Sequence, residues 1–328
     1  MKFQSHVWLL SAIALLLSGS GDACRRPNPN PPKRYDEVVV LSGGWRITSD
    51  SEDPILSDKV VELDHKAQKL VASRFKMPLA LAGHTTASVD GKLFAIGGVH
   101  KGASEVEVSR KSIVMIAGDT TPTAGADMPT DNTAFRRSAQ ISDVLYLCGD
   151  DNSRSFDTTC HSYSMGADSD GERYLYVLLT LEDGQTVYRL DTSDEQAKWT
   201  LHSKTPDEPK MRILAAVYAP GSGRLLACGQ GERDGAFFTV CAHYDPASGG
   251  WTEAPALNAP TLLSTTLRLL RCDGRVFAFH QQQSYEDPSS VGNVEMLEDG
   301  AASWTRLQVS STNNGFDFFA AACVKVAT

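Results

Sequence analysis

The sequence predicts an all-β protein built from a unit that recurs about every fifty residues. The clearest copy lies at residues 83–98, where an alternating segment, an Asp90-Gly91 turn and a continuous apolar run end on two glycines. Alternation is typical of a half-buried strand, and a short apolar run of a strand covered on both faces. Similar runs end near positions 44, 98, 150, 180, 230 and 281. Four short strands per repeat, separated by Gly, Asp and Pro turns, are typical of a β-propeller blade.

The first residues are typical of an export signal. Lys2 precedes an apolar run at residues 7–17, and small residues follow at 18–21. This order predicts a signal peptide over residues 1–23; the alternatives are an uncleaved anchor or a buried helix. The Pro-rich residues 24–34 are then expected to form an extended arm, and residues 35–328 the folded unit. We therefore expect a secreted, extracellular protein.

The repeats share further features beyond the apolar strand. A second strand in the repeat ends near a bulky residue, and another bulky residue comes seven positions later. Examples are Tyr244 to Trp251, Leu297 to Trp304 and Leu63 to Leu70. A Met-Pro pair then precedes the next hairpin at Met77-Pro78 and Met128-Pro129. These spacings predict the outer strands of each blade.

With these features the chain resembles the kelch family of β-propellers. The matching residues are Gly43-Gly44, Gly97-Gly98, Tyr244 with Trp251, Asp245-Pro246, and Arg136-Arg137 after Met128-Pro129. The resemblance covers about residues 35–328, although only two repeats keep both glycines. It implies a kelch propeller, usually a platform that binds other proteins, with a minority of members acting on sugars.

Six apolar strands imply at most six blades. The last apolar segment, residues 318–326, is expected to pair with the strand at 38–41, so that one blade is built from both ends of the chain. One interval is only about thirty residues long and lacks an outer strand and the first strand of the next blade. The chain is therefore expected to have either five full blades with a remnant or six blades with a gap.

Seven cysteines are present, and an oxidising compartment favours disulfides. Cys148 and Cys160 are placed symmetrically about one hairpin, and Cys228 and Cys241 about another, so each pair is predicted to form a cross-strand bond. Two buried free thiols are the alternative for each pair. Cys24, Cys272 and Cys323 remain unassigned; a bond from Cys24 to one of the other two is one arrangement. The cysteine spacings are not typical of zinc sites.

Candidate chemistry is sparse. The eight histidines show no metal-binding spacing, and neither a GxSxG motif nor a phosphate-binding loop is present. We therefore expect no catalytic constellation, no metal and no cofactor. A net charge of −9 argues against nucleic-acid binding, because phosphate recognition requires clustered Lys and Arg.

The loops that follow the apolar strands should emerge together and form what we call the loop face: residues 45–58, 99–105, 150–157, 181–185, 230–236 and 281–293. Loops on a rigid scaffold are where binding residues concentrate. Acids outnumber bases here, which indicates either a basic or hydrogen-bonding partner or a surface kept negative for solubility. Exposed aromatic residues surrounded by charge should supply most of the binding energy. The predicted binding residues are Trp45, Phe156, Glu232, Asp234 and Tyr285.

Two functions are compatible with these patterns. The first is a monomeric, secreted module that binds an extracellular protein or a glycan through the loop face. The second is a sugar-active enzyme of the galactose-oxidase or sialate-mutarotase kind. A copper-radical enzyme would need a Cys-Tyr crosslink, which is disfavoured if Cys228 and Cys241 bond to each other.

Overall fold

The computed structural model describes residues 11–17, 35–48, 51–89, 91–101, 106–108, 112–119, 121–125, 137–141, 144–148, 160–164, 173–181, 184–191, 200–204, 211–219, 223–234, 236–258, 267–280, 293–309 and 320–327. The regular secondary structure in these ranges is entirely β-strand. No helix in these ranges is long and apolar enough to cross a membrane.

The first fifteen strands are β1 (Ser11–Leu17), β2 (Tyr35–Ser42), β3 (Trp45–Thr48), β4 (Ser51–Leu56), β5 (Val60–Asp64), β6 (Lys69–Ala72), β7 (Thr85–Val89), β8 (Lys92–Ile96), β9 (Val99–Lys101), β10 (Val106–Val108), β11 (Ser112–Ile116), β12 (Thr123–Ala124), β13 (Arg137–Ile141), β14 (Val144–Cys148) and β15 (Cys160–Ser164). They are followed by β16 (Arg173–Leu181), β17 (Gly184–Asp191), β18 (Thr200–Lys204), β19 (Met211–Ala219), β20 (Arg224–Arg233), β21 (Ala236–Asp245), β22 (Gly250–Ala254), β23 (Leu267–Cys272), β24 (Arg275–His280), β25 (Asn293–Glu298), β26 (Thr305–Leu307) and β27 (Ala320–Ala327).

Within the described ranges these strands form six antiparallel sheets of three or four strands. Their strand orders are β27-β2-β5-β6 in the first sheet, β7-β8-β11-β12 in the second, β13-β14-β15 in the third, β1-β16-β17-β18 in the fourth, β19-β20-β21-β22 in the fifth and β23-β24-β25-β26 in the sixth. The strands β3-β4 and β9-β10 form two small additional hairpins. The all-β prediction is confirmed.

The two ends of the folded unit share the first sheet, as the sequence predicts. β2 pairs with β27 from Tyr35 opposite Ala327 to Ser42 opposite Ala320. This pairing covers one edge of β2 along its whole length, and β5 covers the other edge from Val39 to Ser42. The apolar residues of β2 are accordingly buried in succession rather than alternately.

The spacing of bulky residues also has the predicted structural meaning. Tyr244 in β21 lies opposite Trp251 in β22, with ring centroids 5.0 Å apart. Leu63 and Leu70 face each other in the same way between β5 and β6. Trp304 is buried, and its Nε1 donates a hydrogen bond to the Pro255 carbonyl at 2.8 Å.

The apolar core lies between neighbouring sheets. Val40, Leu93 and Val324 belong to a cluster between the first and second sheets, and Leu41 and Phe277 to another between the first and sixth. Neighbouring sheets also touch through their first strands. β27 contacts β7 and β23, β19 contacts β23 and β1, and β13 contacts β1 and β7.

The fourth sheet departs from the sequence-based expectation. The segment Ser11–Leu17, predicted to belong to a removable signal peptide, forms β1 and pairs with β16 from Ser11 opposite Leu179 to Leu17 opposite Arg173. It takes the place of the first strand that the short repeat lacks. The third sheet has three strands in the described part of the chain, consistent with the missing outer strand.

Candidate functional site

The loop face is anchored where the first two sheets meet. The segment 81–84, which leads from the first sheet into β7, is held by loop backbone on both sides. Gly44 N–H donates to the Leu81 carbonyl at 2.8 Å, and Leu81 N–H donates to the Ser57 carbonyl at 3.0 Å. Ala82 and Val99 exchange two backbone hydrogen bonds of 3.1 and 2.7 Å, and both pack against Leu56. The hairpins β3-β4 and β9-β10 are thereby held against one another.

The double glycines make this close packing feasible. A Cβ atom on Gly43 would collide with the Leu81 carbonyl oxygen and lie 2.5 Å from His84 Cε1. A Cβ on Gly98 would lie 2.6 Å from the Ala82 carbonyl oxygen. Both glycines also have φ in the left-handed region, +60° and +89° respectively. Because they lack a Cβ, these glycines allow the backbone of segment 81–84 to approach closely.

His84 and Ser42 form a buried polar pair beneath this segment. His84 Nε2 and Ser42 Oγ are 2.9 Å apart, and only 2% of the His84 surface is exposed. Burial, and to a smaller extent the nearby Arg268 guanidinium, lower the pKa of His84 to about 3. His84 Nδ1 is buried without a hydrogen-bond partner among the described residues. The imidazole is therefore neutral near pH 7 and shielded from solvent, which suits a structural role rather than acid–base catalysis.

The hairpin of β20 and β21 supplies an exposed aromatic residue on the loop face, where Ile55 is the other large apolar side chain among the described residues that is exposed to a similar extent. Gly231 pairs with Phe238, and the glycine gives room to the Phe238 ring, which lies where a Cβ would be. Because side chains alternate along a strand, Phe237 points to the opposite side, and 48% of its surface is exposed. Its cross-strand partner is the exposed Glu232.

The turn between β20 and β21 carries a second acidic residue, Asp234. Asp234 is exposed and adopts φ +53°, a left-handed conformation that Asp tolerates better than most residues. Of the two predicted binding residues, Glu232 thus lies opposite the exposed Phe237, and Asp234 lies in the turn of the same hairpin. Phe237 itself was not predicted, although the pair Phe237-Phe238 next to three charged residues is the signal that could have indicated it.

The other predicted binding residues are less informative. Trp45 begins β3 and pairs through its backbone with Leu56; its side chain lies outside the described residues. Phe156 and Tyr285 fall wholly outside the described ranges. Their binding roles stay predictions.

The cysteines give one agreement and one correction. Cys228 and Cys241 face each other across β20 and β21 and form the predicted disulfide. Cys148 and Cys160 are likewise directly opposite each other in β14 and β15. The structure describes only their backbone, so this disulfide stays a prediction.

A second disulfide joins Cys272 of the sixth sheet to Cys323 of the first. The arrangement in which Cys24 bonds to Cys272 or Cys323 is therefore wrong, because these two residues are bonded to each other. Glu37 Oε2 lies 3.7 Å from Cys323 Sγ, so a carboxylate and two sulfur atoms are grouped together. Because the two sulfurs are bonded to each other, they are not thiolate ligands for a metal.

Comparison with known proteins identifies the kind of fold. No protein-family model and no curated protein matches the chain. Among solved structures, YjhT, a kelch-type propeller protein, matches with a TM-score of 0.52 and 12% sequence identity. The match covers 84% of this chain and 99% of that chain. At this identity the likeness concerns the fold alone: several antiparallel sheets arranged as in a propeller.

Proposed function

We propose that the chain is a closed kelch-type propeller that acts outside the cell as a non-catalytic binding module. The contacts among the first strands support closure, since the order β27, β7, β13, β1, β19, β23 leads back to β27. The six sheets would then be six blades, with the third one shortened. The disulfides and the predicted export signal favour an oxidising, extracellular location.

The observation that carries the binding function is the tip of the β20–β21 hairpin. An aromatic residue that is 48% exposed, opposite Glu232 and on the same hairpin as Asp234, has the composition of an interface anchor with a charged rim. The ring would supply binding energy by burial, whereas Glu232 and Asp234 would steer a basic partner during association. The partner we propose is an extracellular protein with a basic surface around an apolar recess.

The test compares Phe237→Ala with a matched variant at another exposed apolar position. Leu201 in β18 is 60% exposed and lies in the outermost strand of the fourth sheet, so Leu201→Ala removes similar surface away from the hairpin. A partner captured from extracellular fluid by the unaltered protein is titrated against both variants. We expect Phe237→Ala to weaken binding by at least about tenfold and Leu201→Ala to leave it unchanged. Equal affinities for the two variants would contradict the proposal.

Charge reversal gives an independent measurement. Glu232→Lys is expected to slow association about tenfold at low salt, with a smaller effect at high salt, because steering by exposed charges is screened. Glu253, exposed on the outer strand β22 of the same sheet, provides the control Glu253→Lys. If both reversals slow association equally, the effect reports net charge rather than the hairpin.

A sugar-active enzyme is the second candidate. It is favoured by Arg268 on β23, whose charge lies near the buried Ser42–His84 pair, because guanidinium groups bind the carboxylates of acidic sugars. The copper-radical version is weakened by the Cys228–Cys241 bond, which occupies both sulfurs. Calorimetric titration with a sialic acid, compared between the unaltered protein and Arg268→Gln, separates this candidate from the first. Saturable binding lost in Arg268→Gln would favour it.

A further inference from the structure

The free edge of β16 is completed by a segment that the sequence predicts to be removed on export. β1 pairs with β16 over seven consecutive positions, Ser11 to Leu17. Its main other neighbours are β13 and β19, the first strands of the third and fifth sheets, and it also touches β20. The occupied position is thus a slot with one hydrogen-bonding edge and two flanking strands.

The properties of the slot follow from what fills it. Ser11–Leu17 reads SAIALLL, without charge, proline or glycine, and it is extended throughout. On its opposite edge β16 is fully paired with β17 from Tyr174 to Leu181. Removal of β1 would leave the backbone groups of β16 without partners on one side only, in a position flanked by other strands. Such an edge is a template for strand addition by another chain.

We propose that this slot is a strand-accepting site that, once the leader is removed, binds a seven-residue extended, uncharged apolar segment of a partner protein. The inference rests on the proposed binding function and specifies one class of partner segment. Backbone hydrogen bonds to β16 supply affinity that tolerates changes of sequence. Exclusion of charge and of proline supplies selectivity, because proline cannot donate to the ladder.

The test uses the full chain with a protease site inserted in residues 25–34, between β1 and β2. Cys24→Ser is included so that no disulfide can retain the released piece. The folded protein is cut under native conditions, and a labelled peptide with the sequence of residues 9–19 is added in excess. We expect the N-terminal piece to co-elute with the body after cutting, and the labelled peptide to displace it with a stoichiometry of one.

Two controls separate strand addition from nonspecific adhesion. A peptide with proline at the adjacent positions of Ile13 and Ala14 should bind at least about tenfold more weakly, because alternate N–H groups of an antiparallel strand face its partner, so one of the two prolines removes a ladder donor. Uncut protein should take up the labelled peptide at least about a hundredfold less readily, because its own tethered strand has a high effective concentration. Loss of the N-terminal piece together with no uptake of peptide would overturn the inference. So would equal binding of both peptides.

The outcome is distinguishable from failure of the loop-face proposal. If the peptide binds but Phe237→Ala leaves partner affinity unchanged, the strand site stands and the hairpin proposal falls. If the peptide fails to bind while Phe237→Ala weakens partner binding and Leu201→Ala does not, the loop face stands and the strand site falls. N-terminal sequencing of the exported protein adds a further check, because retention of residues 11–17 would mean that the slot is never open to a partner.

Discussion

Replacement of Gly43 by alanine tests how the loop face is anchored. Two penalties apply: a side chain at φ +60°, and a Cβ that collides with the Leu81 carbonyl and lies 2.5 Å from His84 Cε1. Neither neighbour moves freely, since Leu81 accepts a hydrogen bond from Gly44 N–H and His84 is paired with Ser42. The steric penalty therefore has to be met by displacement of backbone in a packed region.

Comparison with a matched glycine separates the steric part of this loss in unfolding free energy from the conformational part. Gly274 has a similar φ of +71°, but a Cβ there would meet nothing within 4 Å. Gly274→Ala should lose only the conformational term, about 1 kcal/mol of unfolding free energy. Gly43→Ala adds overpacking of about 1–3 kcal/mol, giving about 3 kcal/mol in total. The entropic effect on the unfolded chain is common to both variants and cancels in the comparison.

The assay is guanidinium unfolding of both variants and the unaltered protein, followed by far-UV circular dichroism and tryptophan fluorescence. Coincident transitions would justify a two-state free energy for each protein. We expect Gly43→Ala to be less stable than Gly274→Ala by about 2 kcal/mol. If the two variants agree within about 0.5 kcal/mol, the close approach to Leu81 and His84 has no energetic consequence, and the argument for the double glycine fails.

Two further predictions concern the disulfides and the buried histidine. Replacing Cys272 and Cys323 by alanine opens a loop with a sequence separation of 51 and should lower the free energy of unfolding by about 4 kcal/mol. Replacing Cys228 and Cys241, with a separation of 13, should lower it by about 3 kcal/mol, and denaturant unfolding measures both losses. Non-reducing peptide mapping that pairs Cys148 with any residue but Cys160 would contradict the remaining disulfide prediction. Because the folded-state pKa of His84 lies near 3, below its ordinary value of 6.5, the unfolded chain binds an extra proton between these values. The contribution of His84 to stability should therefore be complete above pH 6.5 and decline on acidification toward pH 3, by about 1.4 kcal/mol per pH unit at most. His84→Asn should flatten that part of the stability profile, and an unchanged slope would count against burial of the imidazole.

The local pattern of residues predicted much of the strand arrangement. Leu93, Ala95 and Ile96 are fully buried in β8, as their continuous apolar run indicates. The Tyr244–Trp251 and Leu63–Leu70 pairs follow from short spacings within single hairpins. Part of the candidate site was accessible in the same way, since Glu232 and Asp234 lie in a turn between two readable strands. Phe237 was missed because pairing with Gly231 gives the buried side to Phe238, and only the register shows this.

What the sequence by itself determined is therefore local: the strands, their turns, and a disulfide such as Cys228–Cys241, whose partners face each other within one hairpin. Alternation and turn chemistry act over a few residues, so they are legible without the rest of the molecule. The tertiary structure decided the contacts between sheets: the Cys272–Cys323 bond, the burial of His84, and the use of Ser11–Leu17 as the first strand of the fourth sheet. An apolar segment satisfies many alternative edges equally well. Which edge it joins depends on where distant parts of the chain leave a backbone unpaired and a space to fill.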